Sequence, residues 1–422
     1  MIGSGPVRVP LADLPGLFAP GERLFLPGSS GAPTALVAAW LRDPATTRGL
    51  NITTSFVPGI NALDVGALDP TCRVSGLFMQ PEFRGAETAG RFRHLPVSYA
   101  GFDRLLRSGP MFDTCILQLA PPDENGQCSL GPAVEFAPSL LRSSRRCIGL
   151  INMRTPRVPG AWSLPHARLA AVCEVDTPLP LYHTGPAGAQ GQRIAAQIAS
   201  FIGDGATLQL GLGKVPQALL AALGDRRRLR LHSGMLPDAA MTLFDAGVFD
   251  PAWPGHMACA AVGTQPLYDW LRDDHNIRIA GCDVTHDAAV LAGLEGFVAV
   301  NAALEVDLRG QCNLEHVAGR AVSGAGGAPD FARAARNCPG GLSVVALPAT
   351  FGRAGGSRIR ARLGERAVTT LPRTDIDLVV TEHGVADLRA RSVEERAEAL
   401  IAIAEPGLRD DLRRDWRGGR ES

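Results

Sequence analysis

Short apolar runs of four to eight residues recur along the whole chain and alternate with stretches in which apolar residues follow a helical period. Glycine, proline or aspartate bounds most of these runs, as is typical of buried strands. Parallel strands need a long crossover connection, usually a helix, so strands that alternate with helices predict a mostly parallel sheet. We therefore expect an α/β fold in which helices cover both faces of the sheet.

The same pattern gives the expected element positions. Strands are predicted at residues 23–26, 50–56, 114–119, 146–152, 207–210, 229–232, 277–282, 297–304, 342–347 and 376–381, and helices at 33–41, 138–144, 217–223 and 330–336. Three prolines interrupt the rhythm within residues 173–188, so this segment is interpreted as a linker. In sheets of this kind ligands collect at the carboxyl ends of the strands, so we expect a binding site there.

A chain of 422 residues is too long for a single ordinary core. We expect two domains, residues 1–185 and residues 191–422. The hydrophobic fraction of 45% and the charged fraction of 20% are those of a globular protein. No export signal and no apolar run of membrane-spanning length is recognisable, so we expect a cytoplasmic protein without a membrane partner.

Cysteine usage and charge exclude further classes. The nine cysteines are odd in number and widely spread, which argues against a disulfide framework or a zinc knuckle and fits a reducing cytoplasm. We therefore expect no bound metal. The formal net charge is zero and the arginines are scattered, so no basic stripe marks a nucleic-acid partner.

A glycine turn follows the predicted strand at residues 207–210. Gly211 and Gly213 let the backbone approach a bulky ligand, and Lys214, the single lysine of the chain, adds a cation at the start of a helix whose first turn holds Pro216. A tight turn without a ligand explains the same glycines equally well.

A second glycine run precedes the helix predicted at 330–336. Its residues Gly324, Gly326 and Gly327 offer backbone N–H groups for an oxyanion or for a pantetheine arm, although a surface loop has the same composition. Between the two runs, in the segment that begins at Asn301, an apolar strand carries Glu305 and Asp307 into a glycine turn. Acids at strand ends are more often turn and ion-pair formers than catalysts.

Seven segments together resemble the acetyl-CoA hydrolase/transferase family, in the order and spacing of that family. They are PPDENGQCSLG at 121–131, GLGKVP at 211–216, HSGMLPD at 232–238, VGTQPLYDW at 262–270, NAALEVDLRGQCN at 301–313, SGAGGAPDF at 323–331 and VVTEHGVADLR at 379–389. The resemblance spans nearly the whole chain. It implies two CoA-transferase-like α/β domains, each a mostly parallel sheet flanked by helices, with the active site in the cleft between them.

The resemblance also implies the ligands and their contacts. Coenzyme A is expected as a substrate rather than as a permanently bound cofactor, with an acyl-CoA and a small carboxylic acid as reaction partners and a homodimer or higher homo-oligomer as the assembly. The residues expected to bind CoA are Gly211, Gly213, Lys214, Pro216, Asn301, Gly324, Gly326 and Gly327.

The nucleophile position departs from the family pattern. Family enzymes attack the acyl-CoA carbonyl with the glutamate of a His-Ser/Thr-Glu-Met motif, and here that motif reads His232-Ser233-Gly234-Met235. Because glycine has no side chain, Gly234 leaves the position without a carboxylate. Either another carboxylate attacks, or His232 or a carboxylate activates water for direct hydrolysis or a ternary-complex transfer, or the protein binds acyl-CoA without turning it over.

Glu82 is the first candidate for a relocated carboxylate, because it lies in a loop where the first domain of the family approaches the cleft. Glu305 and Glu382 rank behind it, since family members that keep the usual glutamate look similar there. A carboxylate is already ionised at neutral pH, so relocation requires correct placement more than pKa tuning.

Two other enzyme classes fit poorly. A serine hydrolase of the α/β-hydrolase type needs a Gly-x-Ser-x-Gly elbow between a strand and a helix, and we find none. A dinucleotide-binding turn needs a third glycine and an acidic residue after the next strand, where His232 stands instead. We expect a CoA-transferase, with an acyl-CoA hydrolase or a catalytically silent acyl-CoA-binding protein as the alternatives.

Overall fold

A computed structural model describes residues 5–352 and 355–418. The strands are, in chain order, β1 (Val7–Arg8), β2 (Arg23–Leu26), β3 (Asn51–Thr54), β4 (Arg73–Gly76), β5 (Phe92–His94), β6 (Phe112–Leu119), β7 (Gln127–Ser129), β8 (Ser144–Asn152), β9 (Ser163–Pro165), β10 (Ala171–Val175), β11 (Thr207–Leu210), β12 (Arg230–Leu236), β13 (Met257–Ala261), β14 (Arg278–Ile279), β15 (Phe297–Ala302), β16 (Glu305–Asp307), β17 (Cys312–Asn313), β18 (His316–Val317), β19 (Arg320–Ala321), β20 (Leu342–Ala346), β21 (Thr350–Phe351), β22 (Gly356–Ser357), β23 (Ile359–Arg360), β24 (Leu378–Thr381) and β25 (Gly384–Asp387).

The helices, again in chain order, are α1 (Thr34–Arg42), α2 (Arg84–Thr88), α3 (Tyr99–Arg107), α4 (Ala137–Ser143), α5 (Ala189–Ala199), α6 (Lys214–Ala221), α7 (Asp238–Asp245), α8 (Gln265–Trp270), α9 (Cys282–Thr285), α10 (Ala288–Ala292), α11 (Ala328–Asn337), α12 (Val393–Ala402) and α13 (Arg409–Gly418). Strands and helices alternate through most of the chain, which confirms the predicted α/β class. Among the described residues, no helix is both long enough and apolar enough to cross a bilayer.

Two compact units make up the chain. One comprises the residues up to His183 together with Pro254–Asp287, and the other comprises Thr184–Trp253 together with the residues from Ala288 onward. The division predicted from the sequence, 1–185 and 191–422, is continuous, whereas these units are not. Backbone hydrogen bonds account for the difference, because they attach Pro254–Asp287, hereafter the returning segment, to the first unit. Ala261 N–H donates to Pro132 O at 2.7 Å, and Cys282 N–H donates to Glu135 O at 2.7 Å.

An eight-stranded sheet, ordered β1-β10-β8-β6-β2-β3-β4-β5, forms the centre of the first unit, and every neighbouring pair in it is parallel. Seven of the eight residues of β6 are buried. A strand covered on both faces of a sheet is rich in apolar residues, and this enrichment is why the sequence pattern predicted β6.

The sheet of the second unit runs in the order β12-β11-β15-β20-β24-β25. Its strands are parallel except for β25, which pairs antiparallel with β24. Helix α11 covers one face, where Phe331, Ala334 and Ala335 pack with Phe297 and Ala299 of β15. The carboxyl ends of β11, β12 and β15 therefore lie at the same edge of this sheet.

Two element predictions were wrong. Residues 277–282 were predicted as one strand, but β14 holds only Arg278–Ile279, and Gly281 in an extended conformation precedes α9, which begins at Cys282. The linker predicted from residue 173 begins later, because β10 extends to Val175 through its pairing with β8.

Candidate functional site

The predicted strand–turn–helix around Gly211 is present as β11, a glycine turn and α6. Gly213 has φ +122° and ψ −179°, a conformation that residues with a Cβ atom rarely adopt, so the sharp start of α6 requires glycine here. Lys214 is the first residue of the helix and is exposed, whereas Pro216 is buried in the first turn. The turn thus places a cation and free backbone N–H groups at one point of the surface.

Strands β11 and β12 separate beside this turn. Their backbone register extends over Thr207 with Arg230 and Leu208 with Leu231. Beyond these two pairs, the Ser233 hydroxyl replaces the backbone of β12 as the hydrogen-bond partner of Leu210. Its oxygen lies 3.2 Å from both the N and the O atom of Leu210. The serine of the His-Ser-Gly-Met segment therefore closes the end of the strand pair.

His232 and Gly234 flank that serine on β12. The His232 side chain is 1% exposed, and its ring meets the Phe297 ring edge-on at 6.2 Å. This burial favours a packing role for the His232 ring over the activation of a water molecule from solvent. Gly234 is half-buried within the strand and carries no side chain into its surroundings.

Two buried amide side chains lie on one face of the sheet, close to its carboxyl edge. Gln209 on β11 pairs with Ala299 on β15, and Asn301 is two residues beyond Ala299, so both amides leave the sheet on the same face. Within the described part of the chain, neither the Gln209 Oε1 atom nor the Asn301 Nδ2 atom has a hydrogen-bond partner.

Gln217 Oε1, one turn into α6, is a third buried amide atom without a partner among the residues described. A buried polar atom left without a hydrogen bond costs about 1–3 kcal/mol. Because three such atoms come from segments that meet at the glycine turn, their placement suits a ligand that supplies both a donor and an acceptor.

The second glycine run lies before α11. Gly326 has φ +55°, and Gly327 is the residue that precedes the helix. Since α11 packs on the sheet face that carries Phe297 and Ala299, this run and Asn301 are on the same side of the sheet. The half-buried residues 323–327 therefore lie on the same face of the second sheet as the side chains of Gln209 and Asn301.

The two lower-ranked glutamates are held by neighbours. Glu305 accepts a 2.7 Å hydrogen bond from Asn313 Nδ2 and lies 3.6 Å from Arg360. Glu382, 9% exposed, accepts hydrogen bonds from Gln190 Nε2 at 2.5 Å and from the Ala349 N–H at 2.9 Å. Both carboxylates therefore already have hydrogen-bond or ion-pair partners within the second unit.

Glu82 lies in the first unit, in a short 3-10 turn over Pro81–Phe83. The turn is anchored by Phe83, whose buried ring stacks on Phe92 at 4.4 Å. Glu82 itself is exposed. Its carboxylate is thus accessible to solvent while the backbone beneath it is fixed by packing.

A different carboxylate, Glu135, was missed by the sequence reasoning. It is 2% exposed and accepts hydrogen bonds from the Ser29 hydroxyl at 2.6 Å and the Ser55 hydroxyl at 2.8 Å. Burial raises the pKa of Glu135 above its ordinary value, and the two serines act in the opposite direction.

The backbone around Glu135 is also unusual. Glu135 and Ser29 both have positive φ angles, 43° and 46°, which cost energy in residues other than glycine. Gly28 leaves no room for a side chain, since a Cβ atom there would lie 2.2 Å from Ser55 O. The one available sequence signal was an acid between apolar residues directly after the PPDENGQCSLG segment.

Models of known families match both halves of the chain. The acetyl-CoA hydrolase/transferase N-terminal domain matches residues 11–174, and the C-terminal domain of the same family matches residues 263–416. The 4-hydroxybutyrate coenzyme A transferase of Clostridium kluyveri is 30% identical over 402 residues, which is 94% of each chain. The chain belongs to the acetyl-CoA hydrolase/transferase family.

A solved structure and a further relative extend this comparison. The crystal structure of RipA from Yersinia pestis superposes with a TM-score of 0.89 at 28% identity and covers 98% of both chains. The acetyl-CoA hydrolase of Kluyveromyces lactis is 24% identical over 72% of this chain and 65% of its own length. The protein is therefore an enzyme of the CoA-transferase/hydrolase class, and the fold expected from the resemblance is confirmed.

Proposed function

We propose that this enzyme transfers CoA between an acyl-CoA and a small carboxylic acid. The observation that carries the proposal is the presence of two buried amide atoms without a partner among the described residues, Gln209 Oε1 and Asn301 Nδ2, beside the glycine turn at the carboxyl edge of the second sheet. An acyl-CoA offers what they lack, because its pantetheine arm contains both amide N–H donors and carbonyl acceptors. A relative that is named a coenzyme A transferase and matches this chain over 94% of both lengths supports the same proposal.

The proposed contacts of CoA follow from the two glycine segments. Gly211, Gly213 and Pro216 shape the turn along which the pantetheine arm lies, and Lys214 provides a positive charge for a phosphate. Gly324, Gly326 and Gly327 supply backbone N–H groups for the thioester oxygen as it becomes negatively charged. CoA enters and leaves as a substrate in this scheme.

For the attacking group we propose the Glu82 carboxylate, because Gly234 offers none. The carboxylate attacks the thioester carbonyl, which breaks the C–S bond and yields an acyl anhydride of the enzyme and CoA thiolate. The thiolate then attacks the glutamyl carbon, releases the first acid and leaves an enzyme-bound CoA thioester. An acceptor acid reverses both steps to form the new acyl-CoA.

A specific observation supports hydrolysis as a second candidate. Gly234 removes the usual family nucleophile, and acetyl-CoA hydrolases are among the relatives. In that case water takes the place of the acceptor acid and the products are free acid and CoA thiol. A protein that binds acyl-CoA without reaction is the remaining alternative.

One experiment separates these functions. The enzyme is mixed with an acyl-CoA and isotopically labelled acetate, and both free thiol and labelled acetyl-CoA are followed over time. Labelled acetyl-CoA without accumulation of thiol is the expected result. Thiol without label in the CoA pool would establish a hydrolase, and CoA binding with neither product would contradict both enzymatic proposals.

A further inference from the structure

Two cysteines and one histidine converge inside the first unit. Cys259 lies on β13, Cys282 is the first residue of α9, and His286 directly follows that helix. All three are at most 2% exposed. The two Sγ atoms are 3.4 Å apart, and the ligand atoms of the three residues all lie within 4.8 Å of one another.

The main chain fixes this arrangement. Cys282 and His286 are four residues apart, so one helical turn places them on the same face. The backbone of Glu135 joins the strand to the helix, since its N–H donates to Cys259 O at 3.4 Å and its carbonyl accepts from the Cys282 N–H at 2.7 Å. The cluster is therefore held in place whether or not anything binds to it.

We propose that Cys259, Cys282 and His286 form a binding site for a thiophilic divalent cation, zinc in the first instance. Two thiolates and one neutral imidazole balance the charge of such an ion, and a neutral set is what a fully buried site requires. Magnesium and calcium, which take oxygen ligands, do not suit this set.

The distances fit the proposal. Two sulfurs bound to one zinc ion at about 2.3 Å and at the tetrahedral angle lie about 3.8 Å apart, so Cys259 and Cys282 have to separate by only about 0.4 Å. When the ion binds, two S–H bonds break, two metal–sulfur bonds form and two protons pass to solvent.

A neighbouring tyrosine supports the assignment. The Tyr99 ring centroid lies 5.3 Å from that of His286, and its buried hydroxyl has no hydrogen-bond partner among the described residues. An unpaired donor of this kind is available to a metal-bound thiolate, which accepts hydrogen bonds readily. The site is independent of the CoA chemistry, and its role is to fasten β13 to α9 within the returning segment.

Cobalt and zinc binding to the full-length, fully reduced protein tests the site. We expect one zinc ion per chain by elemental analysis and, with cobalt in place of zinc, the charge-transfer absorption of a cobalt–thiolate site. Cys282→Ser should lose both signals, while Cys312→Ser, which removes a buried thiol outside the cluster, should keep them.

Proton release from the wild-type protein provides a second measurement, in case Cys282→Ser does not fold. About two protons per zinc bound, measured in weakly buffered solution, support the site. Absence of zinc binding, binding without proton release, or equal binding in Cys282→Ser would each overturn it. So would a protein that carries a Cys259–Cys282 disulfide as isolated and takes up no metal after reduction.

Discussion

The Ser29 hydroxyl donates a 2.6 Å hydrogen bond to the Glu135 carboxylate, and both residues have positive φ angles. Ser55 donates to the other oxygen of the same carboxylate. One buried acid thus joins the loop after β2, the end of β3 and the segment before α4. Strained backbone at two non-glycine residues persists only where the surrounding structure enforces it, and these hydrogen bonds are part of that enforcement.

This relationship predicts a pH-dependent difference in stability. Because burial raises the pKa of Glu135 above its unfolded value of 4.5, the folded protein holds the carboxyl proton more tightly. The stability that the protonated acid contributes is therefore fully present below that unfolded value and is lost as the pH rises through the folded pKa. Glu135→Gln keeps a neutral group, so its free energy of unfolding should fall less than that of the wild type over this window.

Denaturant unfolding at a series of pH values measures the difference. Glu87→Gln, which alters an exposed acid of α2, serves as the control and should follow the wild-type curve. If Glu135→Gln followed it as well, burial would not be perturbing this carboxylate.

Glu82→Gln should abolish CoA transfer if Glu82 forms the acyl anhydride. Loss of a covalent nucleophile commonly costs several orders of magnitude in rate, so we expect a decrease of about 10³-fold or more in kcat. Glu87→Gln, five residues along, is the matched control and should remain fully active. Borohydride reduces a glutamyl thioester to the alcohol and releases CoA thiol, so mass spectrometry of the treated wild type should find the reduced side chain at Glu82, and reduction at any other residue would exclude this assignment.

Gly234→Glu should increase the rate of CoA exchange. Gly234 lies within β12 and is half-buried, so a strand conformation that any residue adopts is available to the new side chain. A carboxylate already ionised at neutral pH needs correct placement to attack. Gly234→Gln, equal in size but without a nucleophile, should show no increase, and equal rates for the two variants would refute the prediction.

Asn301→Leu and Gln209→Leu should weaken CoA binding without destabilising the protein. Each substitution removes a buried polar atom that lacks a partner, so the free energy of unfolding should stay constant or rise. The lost contact to CoA should raise its Kd by about tenfold, which corresponds to about 1.4 kcal/mol. Calorimetric titration with CoA and denaturant unfolding measure the two quantities.

A satisfied glutamine provides the matched control for those variants. Gln118 is buried on β6, donates to Ser30 O and accepts from Asn152 Nδ2. Gln118→Leu should therefore lower stability and leave CoA affinity unchanged. Unchanged CoA affinity in Asn301→Leu and Gln209→Leu would remove the main support for the proposed binding site.

The periodicity of the chain was sufficient for the fold class and for most strands. The long strands β6 and β8 are mostly buried and contain the short apolar runs 115–117 and 147–151, which local sequence reveals directly. Strand β13 was not predicted, because its sequence MACAA is rich in alanine, which has little strand preference. Pairing with other strands of the folded chain forms it instead. The strand prediction for residues 277–282 was wrong for a related reason, since the hydrogen bond from Cys282 N–H to Glu135 O favours the start of a helix at Cys282.

The site was predictable where it depends on local geometry. The turn at Gly213 needs a positive φ angle, and a glycine between a strand and a helix signals this requirement. The unpaired amides of Gln209 and Asn301 depend on strand register, and the Ser29–Glu135 contact joins residues 106 positions apart. No local pattern encodes such distant partners, so these features emerge only from the folded chain.

The return of Pro254–Asp287 to the first unit has a consequence for synthesis on the ribosome. After residue 183 has been made, another 104 residues must follow before the last part of that unit exists. At about 5–20 residues per second, this corresponds to a delay of about 5 to 20 s. Until residue 259 has been made, the backbone of Glu135 has neither Cys259 nor Cys282 as a partner, so the first unit stays incomplete for most of that interval.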